Sequence, residues 1–170
     1  MKFSRDAPLH TFLDLSTHEN PSYRILEVSA GTGGLTQVVL QMLRNLEERS
    51  GQRRSEEYTY TDLSPAFFEN ARKDLEDLKD RITYRKLDPE DDPIQQGFEE
   101  CRYDSIIAGS VLHVTSDLAA TLTNLRRLLK HRRRLLLLEV YSLKIYVLTL
   151  GSDHLKDGDL RRNIAAFFLC

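Results

Sequence analysis

Apolar positions along the chain change period several times, and each change marks an element. Leu9, Phe12 and Leu13 predict a short first helix, closed by His18-Glu19-Asn20-Pro21. Arg24–Val28 is a short apolar run and reads as a strand. Leu35, Val38, Val39, Met42, Leu43 and Leu46 then recur at helical spacing, with Gly51 just past the end. The stretch EEYTYTDL (56–63) is rich in β-forming residues and predicts a second strand. Ser64-Pro65 follows as a capping residue and a proline at the first helical position. Phe67, Phe68, Ala71, Leu75 and Leu78 carry that helix onward. RITYRKLD (81–88) and YDSIIAGSVLH (103–113) predict strands three and four. Ser116 is expected to cap a helix bearing Leu118, Leu122, Leu125, Leu128 and Leu129. RLLLLEV (134–140) is a fifth strand whose unbroken apolar run implies burial on both faces. Beyond Val140, LKIYVLTL (143–150) offers a sixth strand, and DLRRNIAAFFLC (159–170) a terminal helix or an unstructured end.

Strands alternating with helices imply an α/β fold, with a mostly parallel twisted sheet and helices on both faces. LDPEDDPIQQGFEE (87–100), with two prolines and a glycine, is the most loop-like segment. Composition narrows the function. A net charge of −2 gives no electrostatic case for nucleic acid or membrane partners. The basic run Arg126–Arg134 lacks interleaved aromatics and reads as a solvated helix end and turn. Cys101 and Cys170 form neither a metal-ligand spacing nor a disulfide framework, and His10, His18, His131 and His154 share no metal spacing, so no metal is expected. The N-terminus lacks a signal-peptide core and no run reaches the length of a membrane span, so a cytoplasmic protein is expected.

The chemistry gathers after strand one, in ILEVSAGTGGLTQ (25–37). Gly31, Gly33 and Gly34 let the backbone pass close to a ligand. Leu35 and Thr36 follow where a phosphate loop would place Lys and Ser or Thr, which excludes a P-loop. Gly31-x-x-Gly34 is half of a dinucleotide fingerprint, so an NAD-dependent oxidoreductase remains open. Three successive strands also end in acids: Glu27, Asp62 and Asp88. Asp62 is placed to accept hydrogen bonds from ribose hydroxyls, and Asp88 to receive an exocyclic amine. Such a set suits an adenosine carrying positive charge, as S-adenosylmethionine does.

The ordered motifs ILEVSAGTGG, YTYTDLSPAFFENA, LDPEDDPIQQGF, YDSIIAGSVLHVTSDLAATLTNLRRLLK and RLLLLEV resemble the C-methyltransferase domains of fungal highly reducing polyketide synthases, in the methyltransferase type 12 family. The likeness covers residues 9–140. It implies a Rossmann-like class I methyltransferase fold, S-adenosyl-L-methionine as cofactor, and C-methylation of a carrier-bound β-ketoacyl intermediate in secondary metabolism. The acyl substrate would be a small molecule or tethered to a carrier protein, with polyketide synthase components as partners. By the same resemblance, Glu27, Gly31 and Gly33 hold the methionine end, Asp62 the ribose and Asp88 the adenine amine, and Ser29, Leu63 and Ser110 complete the cofactor contacts.

Carbon methylation needs a base, because the α-carbon of a β-ketoacyl thioester must lose a proton; a poised base contributes roughly 10²–10⁴-fold. His113 follows strand four and Glu139 ends strand five, its neighbour in this topology. A carboxylate beside an imidazole fixes its tautomer and stabilises the imidazolium. The resemblance implies the same His–Glu pair as catalytic residues.

The chain departs from the family in four places. Ser29 replaces the first glycine of the turn, and Ser110 replaces an asparagine. Lys130–Arg134 replaces a Pro-Gly-Gly turn, which costs about 1 kcal/mol or more if the backbone there needs positive φ. Residues 141–170 form an atypical tail after a cofactor-binding domain of residues 1–140, and the family's N-terminal lid is missing. A C-terminally truncated or atypical domain is therefore expected, with strand five left as an apolar edge unless the tail or a partner covers it. The alternative function is a non-catalytic binding remnant or interaction module.

Overall fold

Alternate side chains of the central strands enter two different cores, one on each face of the sheet. The structure, a computed structural model, describes residues 7–18, 20–109, 115–139 and 144–149. On one face, Ile25 of β1 (Arg24–Val28) and Tyr58 and Tyr60 of β2 (Glu57–Asp62) join the buried stripes of α1 (Ala7–Thr17), α2 (Gly34–Ser50) and α3 (Ala66–Asp74). On the other, Leu26 and Val28 join Leu122, Leu125 and Leu128 of α4 (Leu118–Leu128), together with Leu87 and Phe98 from the loop before β4 (Tyr103–Gly109). Covering both faces is what the apolar strands demand.

The sheet order is β3-β2-β1-β4-β5-β6, where β3 is Ile82–Lys86, β5 Leu129–Glu139 and β6 Lys144–Thr149. The first five strands run parallel. β1 lies between β2 and β4, with Ile25 opposite both Tyr58 and Ser105, so the chain reverses its direction of travel across the sheet at β1/β4. The expected mostly parallel sheet with helices on both faces is therefore observed. β6 pairs antiparallel with β5, from Glu139 opposite Lys144 to Arg134 opposite Thr149, and covers the edge that β5 would otherwise leave apolar. The expected terminal segment 159–170 lies outside the described residues.

Several element ends differ from expectation. The helix after Ser64 is opened by backbone bonds from Phe67 and Phe68 to the Ser64 and Pro65 carbonyls, with no side-chain cap. It changes to a 3₁₀ helix over Glu76–Arg81, whose tighter turn eclipses residues three apart and keeps Leu75 and Leu78 on one side. Asp117, not Ser116, caps α4, accepting the Ala120 N–H at 3.0 Å. Leu129 opens β5 instead of ending α4. Between the pairs Tyr103/Leu129 and Ser105/Arg134, β4 advances from 103 to 105 while β5 advances from 129 to 134. The excess chain forms a bulge with Arg132 at φ 57°. The Lys130–Arg134 turn thus does need the left-handed backbone that glycine would supply freely.

Candidate functional site

Strand order reverses between β1 and β4, and in open α/β sheets the carboxyl end of the strands at such a point is where ligand crevices lie. The chain leaving β1 there turns three times through the left-handed region, at Ser29 (φ 52°), Gly31 (φ 58°) and Gly33 (φ 79°). The Ala30 N–H donates to the Thr61 carbonyl at 2.9 Å, which fastens this turn to β2. A Cβ on Gly33 would meet Tyr60, Leu75 and Thr36 at 3.6–3.9 Å, an ordinary contact, so backbone handedness and not space selects glycine. Ser29 adopts the same region without that freedom.

Asp62 ends β2 with a 7 % exposed carboxylate facing this turn. Its Oδ2 accepts the Gly31 N–H at 3.0 Å and its Oδ1 the Ser64 N–H at 2.9 Å. One carboxylate therefore joins the glycine turn to the β2–α3 turn and retains lone pairs for further donors. Next to it, Leu63 is 51 % exposed, an apolar surface beside a polar anchor. Tyr60, read from the sequence as a sheet side chain, also donates its hydroxyl to the Gly31 carbonyl. Burial pushes the Tyr60 phenol well up, and the Glu27 and Asp62 charges add to that, so it stays a donor.

Glu27 is placed differently from a ligand-facing acid. Its carboxylate is 1 % exposed and closed into the α2 side of the sheet. Oε2 accepts Thr36 Oγ1 at 2.5 Å and the Tyr58 hydroxyl at 2.7 Å. Burial pushes its pKa up to about 7, against the lowering effect of those two hydroxyls. Glu27 braces the turn by tying β1, β2 and the start of α2 together.

Asp88 follows β3, with Oδ1 accepting the Glu90 N–H at 3.0 Å. Among the described residues its Oδ2 has no hydrogen-bond partner. The Gln96 side-chain amide pairs with the Asp88 backbone, accepting its N–H at 2.8 Å and donating to its carbonyl at 2.9 Å. Gly31, Gly33, Asp62, Leu63 and Asp88 thus lie at the carboxyl ends of three adjacent parallel strands, β1, β2 and β3. Ser110 and His113 lie outside the described residues. Glu139 ends β5 opposite Lys144, and only its backbone is described. Thr36, Tyr58, Tyr60 and Gln96 were missed in the sequence, where isolated hydroxyls and amides carry no spacing signal. Among the described residues no group of His, Cys, Asp or Glu could hold a metal ion, and no helix is long and apolar enough to cross a membrane.

Comparison with known proteins places the chain in a family. A family described as a methyltransferase domain matches residues 26–134. The chain is 51 % identical over 139 residues to highly reducing polyketide synthase 2 of Gibberella zeae, covering 81 % of this chain and 5 % of that protein. It is 42 % identical over 140 residues to compactin diketide synthase mlcB of Penicillium citrinum, covering 82 % of this chain and 5 % of that one. Among solved structures, the trans-methyltransferase CalH in complex with SAH aligns with a TM-score of 0.69 at 41 % identity, over 75 % of this chain and 35 % of CalH. The CMeT domain of the citrinin polyketide synthase aligns with a TM-score of 0.57 at 34 % identity, over 68 % of this chain and 28 % of that domain. The chain therefore spans about a twentieth of these synthases and about a third of these methyltransferase structures.

Proposed function

The chain belongs to the family of S-adenosylmethionine-dependent methyltransferase domains, and on that premise we propose that its crevice binds S-adenosylmethionine for methylation of a carbon in a β-ketoacyl intermediate, tethered to a carrier protein of a polyketide synthase. The carrying observation is the Asp62 carboxylate, which bonds both the Gly31 and Ser64 N–H groups and keeps lone pairs for further donors. The CalH complex with SAH, at 41 % identity, supports the same ligand here. An NAD-dependent oxidoreductase has no comparable support.

The residues fit the cofactor. Asp62 has lone pairs for the ribose hydroxyls, Asp88 keeps an open oxygen for the adenine amine, and exposed Leu63 offers apolar surface between them. Ser29, Gly31 and Gly33 shape the backbone against the methionine end. Glu27 acts through that backbone as a brace and not as a contact. Ser110 is assigned a cofactor contact on family resemblance.

When bound, this cofactor supplies a methyl group already activated on a sulfonium. The protein must bind, orient and accept a proton. His113 is assigned as the base that takes the α-proton of the β-ketoacyl chain, and Glu139 as the acid that holds its tautomer. Calorimetry with S-adenosylhomocysteine tests the binding half. A one-to-one isotherm that weakens at least about tenfold in Asp62→Ala is expected, since charged hydrogen bonds of this kind contribute roughly 1.5–3 kcal/mol each. Methyl transfer to a β-ketoacyl thioester, lost in His113→Ala with binding unchanged, tests the other half. Binding without transfer by the unaltered chain would make it a binding remnant instead.

A further inference from the structure

The loop after β3 is held more firmly than a surface loop requires, and the groups that hold it form a consistent set. Gln96 closes a ring with the Asp88 backbone, amide to amide, at 2.8 and 2.9 Å. The same Gln96 NH₂ reaches the Asp91 and Asp92 carbonyls at 3.3 and 3.4 Å. From α4, the Asn124 NH₂ is shared among the Pro89, Glu90 and Asp91 carbonyls at 3.2, 3.1 and 3.1 Å. Glu90 in turn takes the Ser116 N–H and hydroxyl, which ties the loop to the segment leading into α4. Carbonyls of five successive residues, 88–92, therefore converge on two side-chain amides. Gln96 holds the Asp88 backbone on both its N–H and its C=O, and the Glu90 N–H holds Oδ1 of its carboxylate, which leaves Oδ2 without a hydrogen-bond partner among the described residues.

We propose that Gln96, assisted by Asn124, is the positioning residue for base recognition: it holds Asp88 so that the site selects adenine over a 6-oxo purine. This rests on the cofactor reading above. The chemistry is a difference of donors. The exocyclic amine of adenine donates to a carboxylate, whereas hypoxanthine presents a carbonyl at that position, and two acceptors repel. That discrimination requires a carboxylate that cannot swing away: Gln96 fixes the Asp88 backbone on both N–H and C=O, and in the loop so fixed the Glu90 N–H holds the carboxylate by Oδ1 at 3.0 Å. A leucine at 96 keeps the bulk and removes the lock.

The test is calorimetric binding of S-adenosylhomocysteine and S-inosylhomocysteine to the full chain and to Gln96→Leu, with folding followed by thermal melting. The unaltered chain is expected to prefer the adenosyl ligand. Gln96→Leu is expected to weaken the adenosyl ligand about tenfold and leave the inosyl ligand within about twofold, so that the preference collapses. Asp88→Asn should add little on top of Gln96→Leu, because both remove one interaction. Equal weakening of both ligands, or an unchanged preference, overturns the proposal, since a merely structural brace would do the former. If Gln96→Leu does not fold, Asn124→Ala decides by the same ratio. Absence of binding to either ligand by the unaltered, folded chain would overturn the cofactor reading itself, and this proposal with it.

Discussion

Two buried carboxylates lie on neighbouring strands at opposite ends of the sheet, and they are solvated in opposite ways. Among the described residues, Glu27, near the carboxyl end of β1, takes its side-chain hydrogen bonds from hydroxyls, those of Thr36 and Tyr58. Asp104, at the start of β4, is fully buried and meets cations: Lys130 at 2.7 Å and Arg133 at 3.2 Å, with the Arg24 N–H at 3.0 Å. Low dielectric penalises charge in both places, but only Asp104 has counter-charges to offset it. The Glu27 proton is therefore held up to a pKa of about 7, while Asp104 serves as the counter-ion of the basic bulge. The run Arg126–Arg134, read from sequence as solvated, is partly spent inside the molecule. The Glu27 carboxylate is thus held by hydroxyl hydrogen bonds and the Asp104 carboxylate by ion pairs. Each end also carries a left-handed residue that is not glycine, Ser29 beside Glu27 and Arg132 within the bulge.

The largest test of this contrast is Asp104→Leu. It strands Lys130 and Arg133, and because both are partly exposed, at 35 % and 40 %, the expected loss is at the lower end for a broken buried pair, about 3 kcal/mol by urea unfolding. A loss under about 1 kcal/mol would mean that Asp104 behaves as a surface ion pair.

The Glu27 end is tested by pH. Its pKa is raised from the ordinary 4.5 to about 7 on folding, so the native state holds more protons across that window. Stability contributed by the protonated form is complete at low pH and falls as pH rises toward 7, by about 2 kcal/mol between pH 5 and pH 7. Glu27→Gln should flatten that slope, because the amide oxygen still accepts both hydroxyls and no longer titrates. An unchanged slope would place the titration elsewhere.

The smallest effects belong to Ser29 and Arg132, two of the three described non-glycine residues in the left-handed region. Ser29→Gly and Arg132→Gly should each stabilise by about 1 kcal/mol, read as a raised thermal midpoint, since strain at φ 52° and 57° is relieved. They lie at opposite ends of the sheet, so their effects should add. A neutral Ser29→Gly beside a stabilising Arg132→Gly would show that the serine compensates its own strain at the turn.

Much of this was legible in the residues. β1 and α2 follow from their apolar patterns in Arg24–Val28 and Val39–Leu46, because a strand buried on both faces and a helix buried on one leave distinct periods, and β2 follows from its β-forming residues. The glycine turn and the acids Asp62 and Asp88 were legible because strand ends and handedness confine which residues can stand there. Ser64 and Ser116 misled as caps because carboxylates claim them: Asp62, two residues back, takes the Ser64 N–H, and Glu90, 26 residues back, takes the Ser116 hydroxyl. The single long helix expected through Leu78 failed because apolar spacing of three is shared by α and 3₁₀ turns.

What the amino-acid sequence determined by itself was the alternation of elements, the parallel sheet and the identity of the strand-end acids, since these depend on local period and on backbone freedom at glycine. Tertiary structure alone decided what each acid does. Glu27, Asp62 and Asp88 occupy equivalent strand ends, yet one is sealed beneath α2, one bridges two turns, and one is presented by an amide clamp from eight residues later. That outcome depends on which hydroxyls, amides and cations the packed strands bring within about 3 Å, the reach of a hydrogen bond. Partners brought together across 31 residues, as Glu27 and Tyr58 are, leave no mark in local sequence.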